Sequence, residues 1–352
     1  MRGLVCVGGD GFVFGGLNLL LLLVRFLVEY IKWHECIGLM PKSENPGRYK
    51  QSQRPKQYEQ ECFSGHRHCN QLAVPIHTNE FRSVVQHLSF PRKAYVPSRP
   101  NEYFSVRHHG QRKLLMSEIG ALLLLDPGTE YTAVYAGAAP GIHTPLLSEL
   151  FPNVRFHLYD PAPFRIGESD RIKLYNTYFT DSHALLYTFT SNLVFICDIR
   201  RTKDETCVWE DMQAQMRWHE IMRPMLTSLK FRLPWPGMGV ADADNQVEYL
   251  DGDIHLPIWG PRNTTESRLV IEKVKHSGTR MYNCLVYEEE MCHFNRVMRP
   301  SIHSGQKSRD DGLDGCYDCA AETRLLELYA ERYGVGRIST GRINRELGRN
   351  LV

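Results

Sequence analysis

The sequence predicts an α/β protein: a doubly wound sheet with helices on both faces. Three observations carry that expectation. Strand-like and helix-like runs alternate from about residue 132 to 233, a glycine-bearing loop separates the first such strand from the next helix, and the composition is that of an ordinary globular chain. With 352 residues, 42% apolar or aromatic and 23% charged, the chain can bury a sizeable core, and collagen, coiled coil and wholesale disorder are excluded. Forty-two basic residues against forty acidic leave a formal charge of +2, so any nucleic-acid site must be a local patch.

The elements follow in order. Leu115, Ile119 and Leu122 recur at helical spacing in a run opening at Lys113 and stopped by Asp126-Pro127-Gly128. Thr132 to Tyr135 reads as a strand and leads into Ala136-Gly137-Ala138-Ala139-Pro140-Gly141. Thr144 offers an N-cap and Pro145 a first helical residue, and this helix ends before Pro152. Val154, Phe156 and Leu158 alternate with Arg155 and His157 in a strand ending at Asp160. Ile172 to Tyr175 and Leu193 to Cys197 are further strands, the latter ending at Asp198. Val208, Met212 and Met216 mark a helix, and Ser228 to Leu233 alternates again, with Lys230 and Arg232 on one face. Leu325, Leu326, Leu328 and Tyr329 suggest a last helix before a basic end containing Arg337, Arg342, Arg345 and Arg349, read as a solvated tail or a phosphate contact.

Three divisions are expected. Residues 1–91 form a leader, linker and loop-rich lead-in, 92–299 the catalytic domain, and 300–352 a polar linker with a basic helical tail. Within the first, Phe12 to Val28 is apolar but interrupted by Asn18 and Arg25. Three readings stand: a dispensable leader ahead of a true start at Met40, a packed helix, or a membrane segment. Met40 to Glu61 has no aliphatic residue after Met40 and reads as linker. Ten scattered cysteines suit a reducing compartment. Cys62, His66, His68 and Cys69, or the isolated Cys316-x-x-Cys319, are either zinc ligands or plain buried thiols.

The Gly137-x-x-x-Gly141 loop lies where an open sheet binds ligands, but Ala-Ala-Pro stands in place of the middle glycine of a dinucleotide fingerprint. It suits a cofactor without phosphates, such as S-adenosylmethionine, with Asp160 placed to accept from ribose hydroxyls; a tight turn is the alternative. Five blocks then occur in order: Gln111-x-Lys113-Leu114-Leu115, Tyr135-x-Gly137-x-Ala139-Pro140-Gly141-x-His143, Asp198-x-Arg200, Lys230-x-Arg232-x-Pro234-x-Pro236 and Glu266-x-Arg268-Leu269. In these the chain resembles the poxvirus-type cap-specific mRNA (nucleoside-2′-O-)-methyltransferases that double as the small regulatory subunit of poly(A) polymerase in large DNA viruses.

That resemblance implies a Rossmann-like S-adenosyl-L-methionine-dependent RNA 2′-O-methyltransferase, with a catalytic tetrad of Lys113, Asp198, Lys230 and Glu266. Lys230 is the family's base for the ribose hydroxyl, and the carboxylates orient the two amines. Cofactor contacts are implied for Gln111, Tyr135, Gly137, Gly141, Asp160, Phe179, Asp198 and Arg200, Phe179 lying against adenine unless it is a core aromatic. Cap contacts are implied for Tyr95 and Trp235 as two rings around 7-methylguanine, for Glu288 as a carboxylate at its edge, and for Arg232. Gly237 and Asn263 stand where the family has an acid and a tyrosine. Arg200, Arg201, Lys203 and Arg232 are expected to grip the first phosphates. No metal is expected in the site. The implied partners are capped mRNA and a viral poly(A) polymerase catalytic subunit, with no membrane partner for the catalytic domain, in the virion and host cytoplasm. A stimulatory subunit without catalysis and a cap-independent ribose methyltransferase remain as alternatives.

Overall fold

The computed structural model describes residues 84–85, 92–95, 109–261, 263–299 and 317–349. The apolar leader, the Met40 to Glu61 segment, the Cys62–Cys69 group, Cys316 and the polar stretch after Pro300 lie outside these residues. Among the described residues no helix is long and apolar enough to cross a membrane, and no group of three potential metal ligands occurs.

The strands are β1 (Val84–Val85), β2 (Tyr131–Ala136), β3 (Val154–Tyr159), β4 (Ile172–Tyr175), β5 (Leu193–Cys197), β6 (Leu226–Phe231), β7 (Gln246–Leu250), β8 (Asp253–His255), β9 (Ser267–Glu272) and β10 (Thr279–Asn283). The helices are α1 (His109–Leu122), α2 (Thr144–Leu150), α3 (Asp181–Leu186), α4 (Glu205–Met222), α5 (Cys284–His293, continuing as a π-turn over Phe294–Met298), α6 (Tyr317–Tyr333) and α7 (Thr340–Arg349).

The main sheet runs β1-β8-β9-β6-β5-β2-β3-β4, and β7 pairs with β10 in a separate ribbon. Its neighbours from β6 to β4 are parallel, whereas β9 is antiparallel to both β6 and β8. The chain leaves β2 toward β3 and β4, then returns to place β5 on the other side of β2. This reversal opens a crevice at the carboxyl ends of β2 and β5, where open α/β sheets bind ligands.

Both faces are covered, and the two-residue period of the strands divides the core accordingly. Ala133 and Tyr135 of β2 join Leu115, Ile119, Leu147 and Phe151 from the α1–α2 side, while Val134 and Ala136 join Phe195, Met212 and Phe231 on the α4 side. At about 2 kcal/mol for each large apolar side chain removed from water, these two clusters supply the main drive for folding.

Several expectations needed correction. Helix α1 begins at His109 rather than Lys113, so Gln111 and Lys113 both ride on its first turns. His143, not Thr144, is the cap residue of α2, and its side chain makes no capping bond. Strand β6 covers Leu226–Phe231 rather than Ser228 to Leu233, because its register against β9 ends at the Phe231–Ser267 pair, ahead of Pro234. Lys230 lies in a central strand on the same side as Ser228, which is 2% exposed.

The basic C-terminal end is not a solvated tail. Ile338, Ile343 and Leu347 are buried in the same cluster as Leu115 and Phe151, together with Leu325, Leu326 and Tyr329 of α6. Glu322 of α6 receives Arg112 Nε and Nη2 at 2.7 Å each and Trp259 Nε1 at 2.6 Å. The guanidinium lies 4.4 Å over the Trp259 ring. Helix α6 therefore braces α1 at the residue between Gln111 and Lys113.

Candidate active site

The lateral register of three strands assembles the centre. Cys197, the last residue of β5, lies opposite Leu229, so Asp198 falls beside Lys230; Lys230 in turn pairs with Arg268 of β9. Glu266 and Arg268 are two residues apart and share a side. Helix α1 crosses that side and supplies Lys113.

The four residues of the expected tetrad converge. Lys230 Nζ stands 3.3 Å from Asp198 Oδ1 and 3.4 Å from Glu266 Oε2, and Lys113 Nζ donates to Glu266 Oε1. Each side chain is largely buried. A fifth residue completes the set: Arg268 Nη2 donates to Asp198 Oδ1 at 2.5 Å, and Nη1 to the Cys197 carbonyl at 3.2 Å. Burial would raise the Asp198 carboxyl, but Arg268, Lys230 and Lys113 outweigh it and hold the group below the usual carboxylate range. Glu266 is likewise buried and held low by Lys113, Lys230 and Arg268. The arrangement is two fixed anions gripping two primary amines, with a guanidinium anchoring one anion from behind.

The glycine loop lies alongside. Gly137 has φ +80° and Gly141 φ +74°. A Cβ on Gly137 would fall 2.8 Å from the Asp198 carbonyl carbon, so only glycine lets the loop close against the end of β5. Asp160 Oδ2 accepts from Ala139 N at 3.0 Å and Oδ1 from Ala162 N at 2.8 Å, which fixes the loop and leaves each oxygen a further lone pair. A cavity of about 450 Å³ opens here, lined by Gly110, Gln111, Ala139, Pro140, Ala162 and Arg165. Tyr135 is fully buried beneath the centre, and burial pushes its phenol well above the ordinary value, with Glu118 and Asp198 adding to the shift.

Other expected residues are placed differently. Phe179 is 7% exposed and packs against Tyr159, Phe195 and Trp218 at centroid distances of 5.0, 6.0 and 5.0 Å, which is the core-aromatic alternative. Arg200 Nη1 donates to the Val208 carbonyl at 3.2 Å and lies 4.0 Å from Asp211. Of the residues expected to grip phosphates, Arg201 is bound to Glu210 and Asp211 and Arg232 to Glu205 at 2.7 Å, while Lys203 is exposed.

Tyr95 and Trp235 do meet. Residues 92–95 dock on α5 through Lys93 N to the Glu289 carbonyl and the Arg92–Glu289 ion pair, which carries Tyr95 to the proline loop. The rings touch edge to face, with centroids 4.5 Å apart at 62°. Two parallel rings around a base would stand about 7 Å apart, so the pair frames no slot in this conformation. Arg232 lies 5.5 Å from the Trp235 ring centroid. Glu288 sits half-buried nearby, its carboxyl pushed up to about 7 by burial and by Glu289, against the pull of Arg232.

Glu205, Arg268, Glu118 and His143 were not assigned roles from the sequence. Glu205 is 6% exposed and ties the proline loop by accepting from Arg232 and from Trp235 N at 2.8 Å. The available signal was a charge at a core position: Arg268 precedes the Leu269-Val270-Ile271 run, and Glu118 falls one residue before Ile119 on the apolar face of α1.

A family model described as Poly A polymerase regulatory subunit matches residues 90–313. Among curated proteins, the cap-specific mRNA (nucleoside-2′-O-)-methyltransferase of myxoma virus (strain Lausanne) is 27% identical over 238 residues, covering 59% of this chain and 67% of that protein. The fowlpox virus (strain NVSL) protein of the same description is 27% identical over 217 residues, covering 55% and 68%. With a match that spans the glycine loop, all four convergent side chains and the proline loop, the chain belongs to the poly(A) polymerase regulatory subunit family.

Proposed function

We propose that the protein transfers a methyl group from S-adenosylmethionine to the ribose 2′-hydroxyl of the first transcribed nucleotide of capped mRNA. The observation that carries this reading is the convergence of Lys113, Asp198, Lys230 and Glu266 beside a glycine loop with room for a ligand. The residues present fit a cofactor without phosphates. Gly137 lets the loop close against the end of β5, Asp160 keeps lone pairs for ribose hydroxyls, and Gln111 lines the cavity. When bound, S-adenosylmethionine supplies an electrophilic methyl carbon.

The remaining chemistry belongs to the chain. A ribose hydroxyl is a poor nucleophile at neutral pH, so its proton must leave as the new bond forms. Lys230 takes that proton on the lone pair of its Nζ, acting as the neutral amine and becoming the ammonium that Asp198 and Glu266 then hold. Asp198 and Glu266 hold this amine from two sides, Lys113 fixes Glu266, and Arg268 keeps Asp198 ionised and in place. Tyr95, Trp235 and Glu288 recognise the cap: the rings part to admit the cationic base, for which stacking contributes about 0.5–2 kcal/mol per face, and the carboxylate accepts from its N–H edge.

The test is incubation with radiolabelled methyl donor and RNAs of one sequence, capped and uncapped. Methyl incorporation at the 2′ position of the first nucleotide of capped RNA alone is expected. Equal labelling of both RNAs would make the protein a cap-independent ribose methyltransferase, and no labelling would overturn the assignment. The family description favours a second role as the stimulatory subunit of a viral poly(A) polymerase. Co-purification with that polymerase and a longer tail in its presence test this role separately.

A further inference from the structure

Gln111 lines the loop cavity, and an amide side chain offers either a donor or an acceptor to whatever binds there. Which end it offers is fixed by its partner on the other side. That partner is His143, whose Nδ1 lies 2.8 Å from Gln111 Oε1. The imidazole is fully buried, and its Nε2 lies 2.8 Å from Oε2 of Glu118, itself 2% exposed. Either Nδ1–H donates to the amide oxygen or the amide is turned over and its nitrogen donates to Nδ1. In both arrangements Nε2–H donates to Glu118, because a carboxylate only accepts. Glu118 therefore fixes the ring: a neutral imidazole with its proton on Nε2 offers Nδ1 only as an acceptor, so the amide nitrogen donates to it and the amide oxygen faces the cavity, whereas only the imidazolium would hold the amide the other way round.

Two further observations set this pair apart from ordinary core packing. His143 stands at the cap position of α2 yet makes no capping bond, so its side chain is committed to α1 instead. Glu118 also acts on the buried Tyr135 hydroxyl, whose titration is raised first by burial and then by this carboxylate, so the same side chain links the imidazole to the residue beneath the centre. A buried carboxylate is costly even when partnered, and helix α1 would tolerate an apolar residue at that position better.

We propose that Glu118 and His143 are positioning residues for the methyl donor: a buried carboxylate–imidazole pair that locks the Gln111 carboxamide at the cavity wall. Neither touches substrate, and the proposal rests on the methyl-transfer reading above. The two helices it links, α1 and α2, carry Lys113 and follow the glycine loop, so one buried pair sets the donor site relative to the amines.

The test uses the full chain and calorimetric binding of S-adenosylhomocysteine, with donor KM and kcat measured in parallel. Gln111→Ala and Glu118→Leu should each weaken binding about tenfold, the loss expected for one well-placed hydrogen bond. The double variant should bind no worse than Gln111→Ala alone, because the two act through one amide. Glu118→Gln keeps an acceptor for Nε2–H and should retain most of the affinity, which also guards against misfolding in Glu118→Leu. Most of the loss should appear in donor KM rather than kcat. Independent losses that multiply to about a hundredfold in the double variant would overturn the proposal. So would wild-type affinity in Glu118→Leu, or equal losses in Glu118→Gln and Glu118→Leu. If the wild-type protein binds no S-adenosylhomocysteine, the methyl-transfer reading fails and this inference with it; if it binds but the coupling is missing, only the inference fails.

Discussion

Replacing Arg268 by methionine tests the electrostatics of the centre directly. Arg268 is 5% exposed and contributes the strongest attraction that keeps Asp198 ionised, ahead of Lys230 and Lys113. Methionine fills similar space without charge. The change strips a buried carboxylate of its main partner, for which about 3–5 kcal/mol is the usual loss, so thermal unfolding should begin about 10 °C lower at pH 7. The sign of the pH dependence follows from linkage. In the wild type the depressed Asp198 contributes stability above the unfolded-state carboxyl value, and that stability is lost as pH falls through its lower folded value. In Arg268→Met the folded value rises, so protonation relieves the variant first, and its deficit should shrink as pH falls from 7 toward 4. Urea unfolding of both proteins across that range measures the gap. A deficit under about 1 kcal/mol, or one constant with pH, would refute the anchoring role assigned to Arg268.

Lys230→Ala should lower methyl transfer by about 10²–10⁴-fold, the range for a lost acid–base group, while the circular dichroism spectrum stays that of the wild type; a loss under tenfold would exclude Lys230 as the base. Glu288 has a carboxyl pushed up to about 7, and an ionised form suits the cationic cap. Cap-analogue affinity should therefore rise with pH from 6 to 8, and fluorescence titration of Glu288→Gln should be flat over that range. Gly137→Ala forces a Cβ to 2.8 Å from Asp198 backbone at φ +80°, and should cost at least about 2 kcal/mol of stability together with donor binding, both measured by thermal shift with and without S-adenosylhomocysteine. Glu322→Ala removes the bonds to Arg112 and Trp259 and should lower both the melting temperature and activity, although Glu322 lies in α6, far from the reacting groups in sequence.

The strand–helix alternation from β2 to β6 was legible because each element carries its own periodicity: β4 and β5 have the bounds read from Ile172 to Tyr175 and Leu193 to Cys197. The β7–β10 ribbon was not, since Thr-Arg-Met-Tyr-Asn mixes exposed and buried positions without alternation of polarity. Helix α7 hid for a different reason. Its arginines dominate the composition, while Ile343 and Leu347 find their core only in residues far upstream. At the site, residue types were readable but pairings were not. Arg232 and Arg201 look like free cations in sequence and become ion pairs only when α4 brings up Glu205, Glu210 and Asp211. Tyr95 and Trp235 were identifiable as aromatic, but whether two rings enclose a gap or close on each other depends on how α5 seats residues 92–95.

The antiparallel seam between β6 and β9 makes the centre a matter of parity. Glu266 reaches the amines and Arg268 reaches Asp198 from the same side because one residue, Ser267, separates them and points the other way, its hydroxyl 2.8 Å from that of Tyr287. Inserting or deleting a single residue there would swap sides, driving a carboxylate into the Leu229–Phe231 layer and the serine toward Lys230. Length changes in the 232–245 connection leave that parity untouched. Chimeras that exchange the proline loop between relatives should therefore be spliced on the far side of the proline turn, never within the few residues that precede Leu269.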